Sequence, residues 1–144
     1  MAGDPYLCRL LPDGTGSASR CLTPMLEAWA KSSDMTLVPG TLNLCANRPV
    51  ELLSECVSLA AFHDLALPQW RRDQPGFDPR LYLGRLAGSQ TCWLYRWSAP
   101  SHLTTFVGEA DGCPPAHRCE IVAEVKLRDA LELTEGSLVT LELL

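Results

Sequence analysis

The sequence predicts a mostly β protein with one or two short helices, and three observations support that prediction. First, apolar and polar side chains alternate over short stretches near residues 41–45, 92–96, 120–125 and 138–143, which is typical of half-buried strands. Second, proline and glycine clusters punctuate the chain at 12–16, 39–40, 75–79 and 112–115. Third, 144 residues with 47% apolar side chains and no internal repeat indicate one domain spanning residues 1–144.

The first elements are a helix and a strand. Thr23-Pro24 precedes apolar residues at helical spacing, which predicts an N-capped helix that reaches about Lys31. The period then changes to two, and the Pro39-Gly40 turn predicts the start of a strand whose Leu42 and Leu44 face the core. Residues 52–67 fit a strand and a helix equally well, and we leave them unassigned.

The later elements follow the same alternation. Residues 92–96 predict a strand, and residues 120–125 predict another in which Glu120 and Glu124 share one face. The end of the chain predicts a short helix over 127–133, a turn at 135–137 and a closing strand. That strand places Val139, Leu141 and Leu143 on one face.

Charge and cysteine usage exclude some classes of function. The net charge of −5 and a longest basic run of only Arg71-Arg72 argue against a nucleic-acid or anionic-membrane partner. No apolar run has the length of a spanning helix and no cationic leader is visible, so we expect a cytoplasmic protein. Seven scattered cysteines without a C-x-x-C pair favour reduced thiols. A zinc site is a further candidate at Cys113, His117 and Cys119, but no fourth ligand stands at a recognisable spacing.

The stretch LVPGTLNLC, residues 37–45, carries the first candidate site. Thr41 and Asn43 project from one face of the predicted strand and present two neutral oxygen donors. Such hard donors suit Mg²⁺, which keeps several waters and takes further ligands from substrate phosphates. The same two residue types also commonly hydrogen-bond a turn, and that structural reading stays open.

Two further segments are candidates for phosphate chemistry. In PDGTGSAS, residues 12–19, Gly14 and Gly16 allow a backbone that approaches a ligand closely, although the lysine of a P-loop is absent and a flexible hairpin loop fits as well. In CEIVAEVKLRDALEL, Glu120 is followed by Lys126 and Arg128, so a carboxylate could act as a general base beside a phosphate donor. A solvated charged face is the alternative.

Taken together, LVPGTLNL and CEIVAEVKLRDALELTEGSLVTL resemble the CTP-dependent riboflavin kinases of archaea. The glycine-rich loop, the PGTLN strand and the late segment follow the order of that family, whereas residues 50–115 match it poorly. The resemblance implies a small cradle-loop β-barrel, CTP as phosphate donor, Mg²⁺, and transfer of the γ-phosphate to the ribityl 5′-hydroxyl of riboflavin to give FMN.

The resemblance also implies a role for particular residues. It places metal ligands at Thr41 and Asn43, and the flavin-contacting carboxylate, a candidate to accept the hydroxyl proton, at Glu120. The nucleotide-binding residues that it implies are Pro12, Asp13, Gly14, Thr15, Gly16 and Ser17, with a second segment of Val125, Lys126, Leu127 and Arg128.

Two alternatives remain open. The family has an R-T-x-Y-like stretch before the glutamate, where this chain reads DGCPPAHRCE, so a different small-molecule alcohol could be the acceptor. The C-terminal segment also resembles the swapped-hairpin barrels of AbrB-like DNA-binding proteins, which are not enzymes. The acidic composition argues against that last alternative.

Overall fold

The computed structural model describes residues 4–12, 26–38, 42–52, 55–59, 79–97 and 112–144. The elements in these ranges are seven strands and two short helices, with one turn of 3-10 helix at Pro115–His117. In chain order they are β1 (Tyr6–Leu10), α1 (residues 26–32), β2 (Leu42–Ala46), β3 (Cys56–Ser58), β4 (Pro79–Leu86), β5 (Gln90–Trp97), β6 (Arg118–Val122), α2 (Leu127–Ala130) and β7 (Leu138–Leu143).

Six of the strands close into an antiparallel barrel. Their order is β4-β5-β6-β2-β1-β7, and β7 pairs again with β4 to complete the circle. β3 pairs with the first half of β4, at Arg80–Tyr82, while β7 pairs with the second half, at Gly84–Leu86. The prediction of a mostly β barrel with one or two short helices is therefore confirmed.

Alternate residues of every barrel strand fill the interior. Leu44 of β2, Leu94 of β5 and Leu141 of β7 are all fully buried there. The pattern follows from the two-residue period of a strand, which turns every second side chain inward. The predicted inward face of Leu42 and Leu44 and the shared face of Val139, Leu141 and Leu143 are both confirmed.

A second apolar layer covers part of the outside of the barrel. Helix α1 packs Leu26 and Trp29 against outward-facing residues of β4, β5 and β6, and Trp29 meets Trp93 edge to face with ring centroids 5.6 Å apart. Trp29 and Leu26 are buried as the helical spacing predicts, and the helix extends through residue 32. The Thr23-Pro24 cap lies outside the described residues.

Two predicted boundaries near the C-terminus are wrong. β6 ends at Val122, and the chain bends at Glu124 and Val125, so Glu124 does not share a strand face with Glu120. The Ala123 carbonyl accepts a hydrogen bond from the Val38 N–H, outside the strand ladder. Helix α2 ends at Ala130, although the Leu133 N–H still bonds to the Arg128 carbonyl.

The turn after α2 follows the prediction. Gly136 has a positive φ of 85°, a conformation that glycine adopts without steric cost. The Ser137 N–H donates to the Thr134 carbonyl at 2.8 Å, and the Gly136 N–H donates to the Leu10 carbonyl at 2.9 Å. The turn thus leads into β7 alongside the end of β1. No helix among the described residues is long and apolar enough to cross a membrane.

Candidate functional site

Several segments that the sequence selects meet at one end of the barrel. The Leu11 N–H donates to the Asn43 carbonyl at 2.9 Å, which holds the start of the 12–17 loop beside β2. The Val38 N–H donates to the Ala123 carbonyl at 3.0 Å, which holds the chain before the Pro39-Gly40 turn beside the end of β6. The antiparallel pairing of β1, β2 and β6 therefore brings three distant parts of the sequence to one place.

Asn43 and Glu120 stand directly opposite each other on neighbouring strands. The register pairs Asn43 of β2 with Glu120 of β6, and pairs Glu120 in turn with Tyr95 of β5. Both lie on the outer face, because Leu42 and Ile121 beside them point into the barrel. Opposed residues have Cβ atoms about 4.5–5.5 Å apart. The structure thus brings together the predicted metal-ligating amide and the predicted catalytic carboxylate.

Glu120 is buried although it is charged. Its exposure is 7%, and Tyr95 and Val122 beside it belong to the layer that α1 covers. A carboxylate removed from water costs free energy unless polar or charged groups compensate it. A glutamate whose only role is to be solvated would not be buried at such a strand position. The alternative of a solvated charged face is therefore wrong for Glu120, while Glu124 is exposed.

Two buried arginines lie on this part of the sheet, one on each face. Arg96 is 6% exposed and its Nη2 donates to the Arg118 carbonyl, where β6 begins. Burial lowers the pKa of Arg96, while the nearby charges of Cys119 and Glu120 oppose that change. Arg118 is also buried, on the same face as Glu120 and two positions before it. Arg118 is therefore the buried arginine that shares the outer face of the sheet with the Glu120 carboxylate, whereas Arg96 shares the inner face with Leu94.

The second predicted nucleotide segment lies just beyond β6. Val125 is 37% exposed. Lys126 precedes α2, and its Nζ lies 3.6 Å from Asp129 Oδ2 in an ion pair that is mostly exposed. Leu127 is buried in the barrel interior and Arg128 is partly exposed. The segment is accessible at Val125 and Lys126.

Part of the predicted site lies outside the described residues. Thr41 falls there, as does the nucleotide loop after Pro12, which is itself described and exposed. The residues of that loop are Asp13, Gly14, Thr15, Gly16 and Ser17. Their roles and that of Thr41 remain predictions from the sequence.

The expectation of reduced cysteines is wrong for one pair. Cys45 of β2 and Cys113 form a disulfide bond, with Cα atoms 5.8 Å apart. Cys8, Cys56, Cys92 and Cys119 are free thiols. The pairing also removes Cys113 from the zinc candidate, whose His117 instead directs Nδ1 to the Ala46 carbonyl at 2.9 Å.

The donor set of the outer face fits Mg²⁺ better than a transition metal. Among the described residues, no group of three or more His, Cys, Asp and Glu side chains is arranged to hold a metal ion. Mg²⁺ does not need such a cage, because it binds through one or two protein oxygens together with waters and substrate phosphates. The amide oxygen of Asn43 is an oxygen donor of that kind, and the Glu120 carboxylate is opposed to it across the two strands.

Comparison with known proteins does not assign this chain. Neither the models of known protein families nor the curated proteins contain a match to it.

Sequence reasoning missed two features of the site. The opposition of Asn43 and Glu120 depends on the register between strands far apart in sequence, which alternation within each strand does not reveal. The Cys45–Cys113 bond joins residues 68 positions apart, with no spacing signal that distinguishes them from the other cysteines. The period of two places Cys45 on the same strand face as Asn43, but it does not indicate which cysteine is the partner of Cys45.

Proposed function

We propose that this protein is a CTP-dependent phosphotransferase that moves the γ-phosphate of CTP to a hydroxyl of riboflavin, giving FMN. One observation carries the proposal: Asn43 and Glu120 are opposed on β2 and β6, at the barrel end where Pro12 and the Ala123–Val125 segment also lie. These are the segments that the sequence resemblance assigns to metal, acceptor and nucleotide. Their convergence supports the proposal because no local pattern requires it.

Glu120 is the residue with a chemical step to perform. In the transfer, the acceptor oxygen forms a bond to the γ-phosphorus, the bond from that phosphorus to the CDP oxygen breaks, and CDP leaves. The hydroxyl proton passes to the Glu120 carboxylate acting as general base.

The other residues position the substrates. Phosphoryl transfer needs alignment and neutralisation of charge more than covalent chemistry from the protein. Asn43 and Thr41 are the proposed metal ligands, and Mg²⁺ supplies charge neutralisation at the phosphates when it is bound. The glycine-rich loop from Pro12 and the segment Val125–Arg128 are the proposed nucleotide contacts.

A second acceptor is favoured by one specific observation. The stretch before β6, where the resembled family has a threonine, here contains Cys113 bonded to Cys45 and His117 bonded to the Ala46 carbonyl. These contacts engage side chains that could otherwise contact a flavin. A CTP-dependent kinase acting on a different small-molecule alcohol is therefore the second candidate.

The decisive experiment is phosphate transfer from γ-labelled CTP with Mg²⁺ and riboflavin. We expect labelled FMN from the wild-type protein, and a loss of about 10²-fold or more in Glu120→Gln, in the range that general acid–base catalysis contributes. Asn43→Ala should also reduce transfer strongly, with the thermal unfolding of both variants close to that of the wild type.

The matched control is Glu142→Gln. Glu142 lies on the outer face of β7, where its Oε1 is 3.6 Å from Arg85 Nη1. This ion pair is on other strands than the proposed site. This variant should retain transfer. Equal activities in Glu120→Gln and Glu142→Gln would overturn the assignment of Glu120. Transfer from CTP to another alcohol without FMN would establish the second acceptor, and binding of duplex DNA without any transfer would favour the non-enzymatic barrel.

A further inference from the structure

Two arginines and two tyrosines lie at the end of the barrel opposite the candidate site. Arg80 is the second residue of β4, and the register places it directly across from Arg96, the next-to-last residue of β5. Both are on the inner side of the sheet, because Tyr82 and Leu94 on the same strand faces belong to the interior core. Tyr6, the first residue of β1, belongs to that core as well. These side chains therefore lie near the rim of the barrel rather than at its centre.

Arg96 is a buried cation whose charge is poorly compensated. It is only 6% exposed, and its Nη2 donates to the Arg118 carbonyl. In the described part of the chain no carboxylate forms an ion pair with it, and the Glu120 charge acts on it from the outer face of the sheet. Burial lowers the pKa of Arg96, because a cation removed from water loses its hydration. A guanidinium carries several N–H donors, so one backbone carbonyl leaves further donors for an anion.

The two tyrosines add hydroxyl donors beside Arg96. Tyr82 pairs with Leu94, two positions before Arg96, so it is a diagonal neighbour of Arg96 with Cα atoms about 7–8 Å apart. Its hydroxyl forms no hydrogen bond within the ranges that the structure describes. The Tyr6 hydroxyl accepts a hydrogen bond from the Glu51 N–H at 2.8 Å, which leaves its own hydrogen to donate. Both hydroxyls are near enough to influence the charge of Arg96.

A purely structural role for Arg96 does not explain its charge. Holding the Arg118 carbonyl at the start of β6 needs a hydrogen-bond donor, and a neutral amide is such a donor. Two further arginines add positive charge at the same rim. Arg80 is partly exposed and has contacts of its own, and Arg48 stacks on the Tyr6 ring with its Cζ 4.1 Å from the ring centroid. The rim is therefore rich in cationic groups and donors.

We propose that the rim formed by Arg96, Arg80 and the hydroxyls of Tyr82 and Tyr6 binds a small oxyanion, a phosphate or carboxylate group. Such a group accepts several hydrogen bonds at once, and guanidinium groups bind it in a bidentate manner. The low exposure of Arg96 limits the ligand to a small anion or to the charged end of a larger molecule. The site is on the inner side of the barrel, away from the Asn43–Glu120 pair, so the proposal stands whether or not the protein transfers phosphate.

The test titrates the intact protein with sodium phosphate at an ionic strength held constant with sodium chloride. Two-dimensional proton–nitrogen NMR reads the site directly. We expect saturable shifts of the Arg96 side-chain Nε–H signal and of the Tyr82 backbone amide. A parallel titration with sodium acetate distinguishes the two ligand classes, because the preferred group saturates these signals at the lower concentration. The side-chain amide of Asn43 reports on the candidate site separately.

Three variants assign the effect to the rim. Tyr82→Phe keeps the aromatic ring in the core and removes one donor, so it should weaken binding of the preferred anion by about tenfold or more, as expected for a lost hydrogen bond to a charged group. Arg96→Gln removes the charge, keeps a donor for the Arg118 carbonyl, and should abolish binding. The matched control is Arg85→Gln, which removes an arginine from the outer face of β4 and should bind as the wild type does.

Three results would overturn the proposal. The Arg96 and Tyr82 signals could show no saturable shift with either anion, which would leave only a general salt effect. Saturable shifts could be confined to the Asn43 amide, which would place the anion at the candidate site instead. Tyr82→Phe could also bind the anion as tightly as Arg85→Gln. If Arg96→Gln does not fold, the comparison of Tyr82→Phe with Arg85→Gln decides.

Discussion

Cys92 links the stability of the barrel to pH. Burial, with a smaller contribution from Cys8, raises the pKa of this interior thiol from 9.0 to about 12. Between those values the unfolded chain loses the proton and the folded protein keeps it. The free energy of unfolding therefore falls as the pH rises above about 9, by about 1.4 kcal/mol per pH unit for this group, and the contribution is lost by about pH 12.

The measurement is urea unfolding at a series of alkaline pH values. In Cys92→Ala the free energy of unfolding should fall less steeply with pH than in the wild type, because one fewer proton is released on unfolding. Cys56→Ala, which removes an exposed thiol, should keep the wild-type decline. A wild-type slope in Cys92→Ala would contradict the role given to this thiol.

Individual positions on β2 were predictable because they depend only on the local period of two. The inward faces of Leu42 and Leu44, and the outward face of Asn43, follow from it directly. The burial of Glu120 was not predictable, because it depends on α1 and on Tyr95, which reach it only through the fold. From its charge alone, a glutamate at this position is expected to be exposed to solvent.

Among the elements, β4 closes the barrel by pairing with β7. Gly84 of β4 pairs with Leu143 of β7, and a Cβ at this position would lie 3.1 Å from the Glu142 carbonyl oxygen. A backbone atom in a sheet ladder cannot move aside as a side chain does. Gly84→Val should therefore lower the free energy of unfolding by about 1–3 kcal/mol, the usual cost of overpacking.

Chemical denaturation of Gly84→Val beside Thr91→Val provides the check. Thr91 is exposed on β5, where valine suits a strand and meets no interior neighbour. We expect Thr91→Val to unfold within about 0.5 kcal/mol of the wild type, as most surface substitutions do. A Gly84→Val protein as stable as Thr91→Val would show that the backbone of β7 does not approach Gly84 to the 3.1 Å given above.

The segment between β6 and α2 should determine nucleotide preference. By resemblance, Val125–Arg128 contacts a pyrimidine, so CTP should bind more tightly than ATP. Lys126 is exposed, and its pair with Asp129 contributes only about 0–1 kcal/mol to stability as a surface ion pair. Lys126→Gln should therefore weaken CTP binding while changing the thermal unfolding temperature little.

Calorimetric titration with CTP, CDP, ATP and GTP tests this segment. The control is Arg85→Gln, which removes a positive charge from β4 at a distance from α2 and should leave CTP affinity unchanged. Equal affinities for purine and pyrimidine nucleotides would refute the assignment of the segment.

For β6, α2 and β7 the type of element was predictable from the sequence, whereas the residues at which β6 and α2 end were not. The alternation correctly indicates β6 and β7, and the Gly136 turn between helix and strand. β6 stops three residues early because the Ala123 carbonyl bonds to Val38, a contact between segments far apart in sequence. Helix α2 likewise ends at Ala130, before the apolar Leu131 and Leu133 that suggest a longer helix.

At the scale of the whole molecule, closure joins the two ends of the chain. β1 lies between β2 and β7, so its N-terminal residues pair with the C-terminal strand, and β7 in turn meets β4. Such contacts are distant in sequence, and their entropy of closure must be overcome before they form. The class of fold follows from composition and period, whereas this strand order needed the structure.

The Cys45–Cys113 bond should make a large contribution to the stability of that closed barrel. It links residues 68 positions apart, and the entropy that such a cross-link removes from the unfolded chain corresponds to about 4 kcal/mol. Reduction with dithiothreitol should therefore lower the urea midpoint of the wild type markedly. Cys45→Ala/Cys113→Ala should unfold near the reduced midpoint in both conditions, because it has no bond to lose. Cys56→Ala should respond to reductant as the wild type does. A wild-type midpoint that ignores the reductant, with the bond shown by mass spectrometry to be broken, would mean that the unfolded chain is already compact around these two residues.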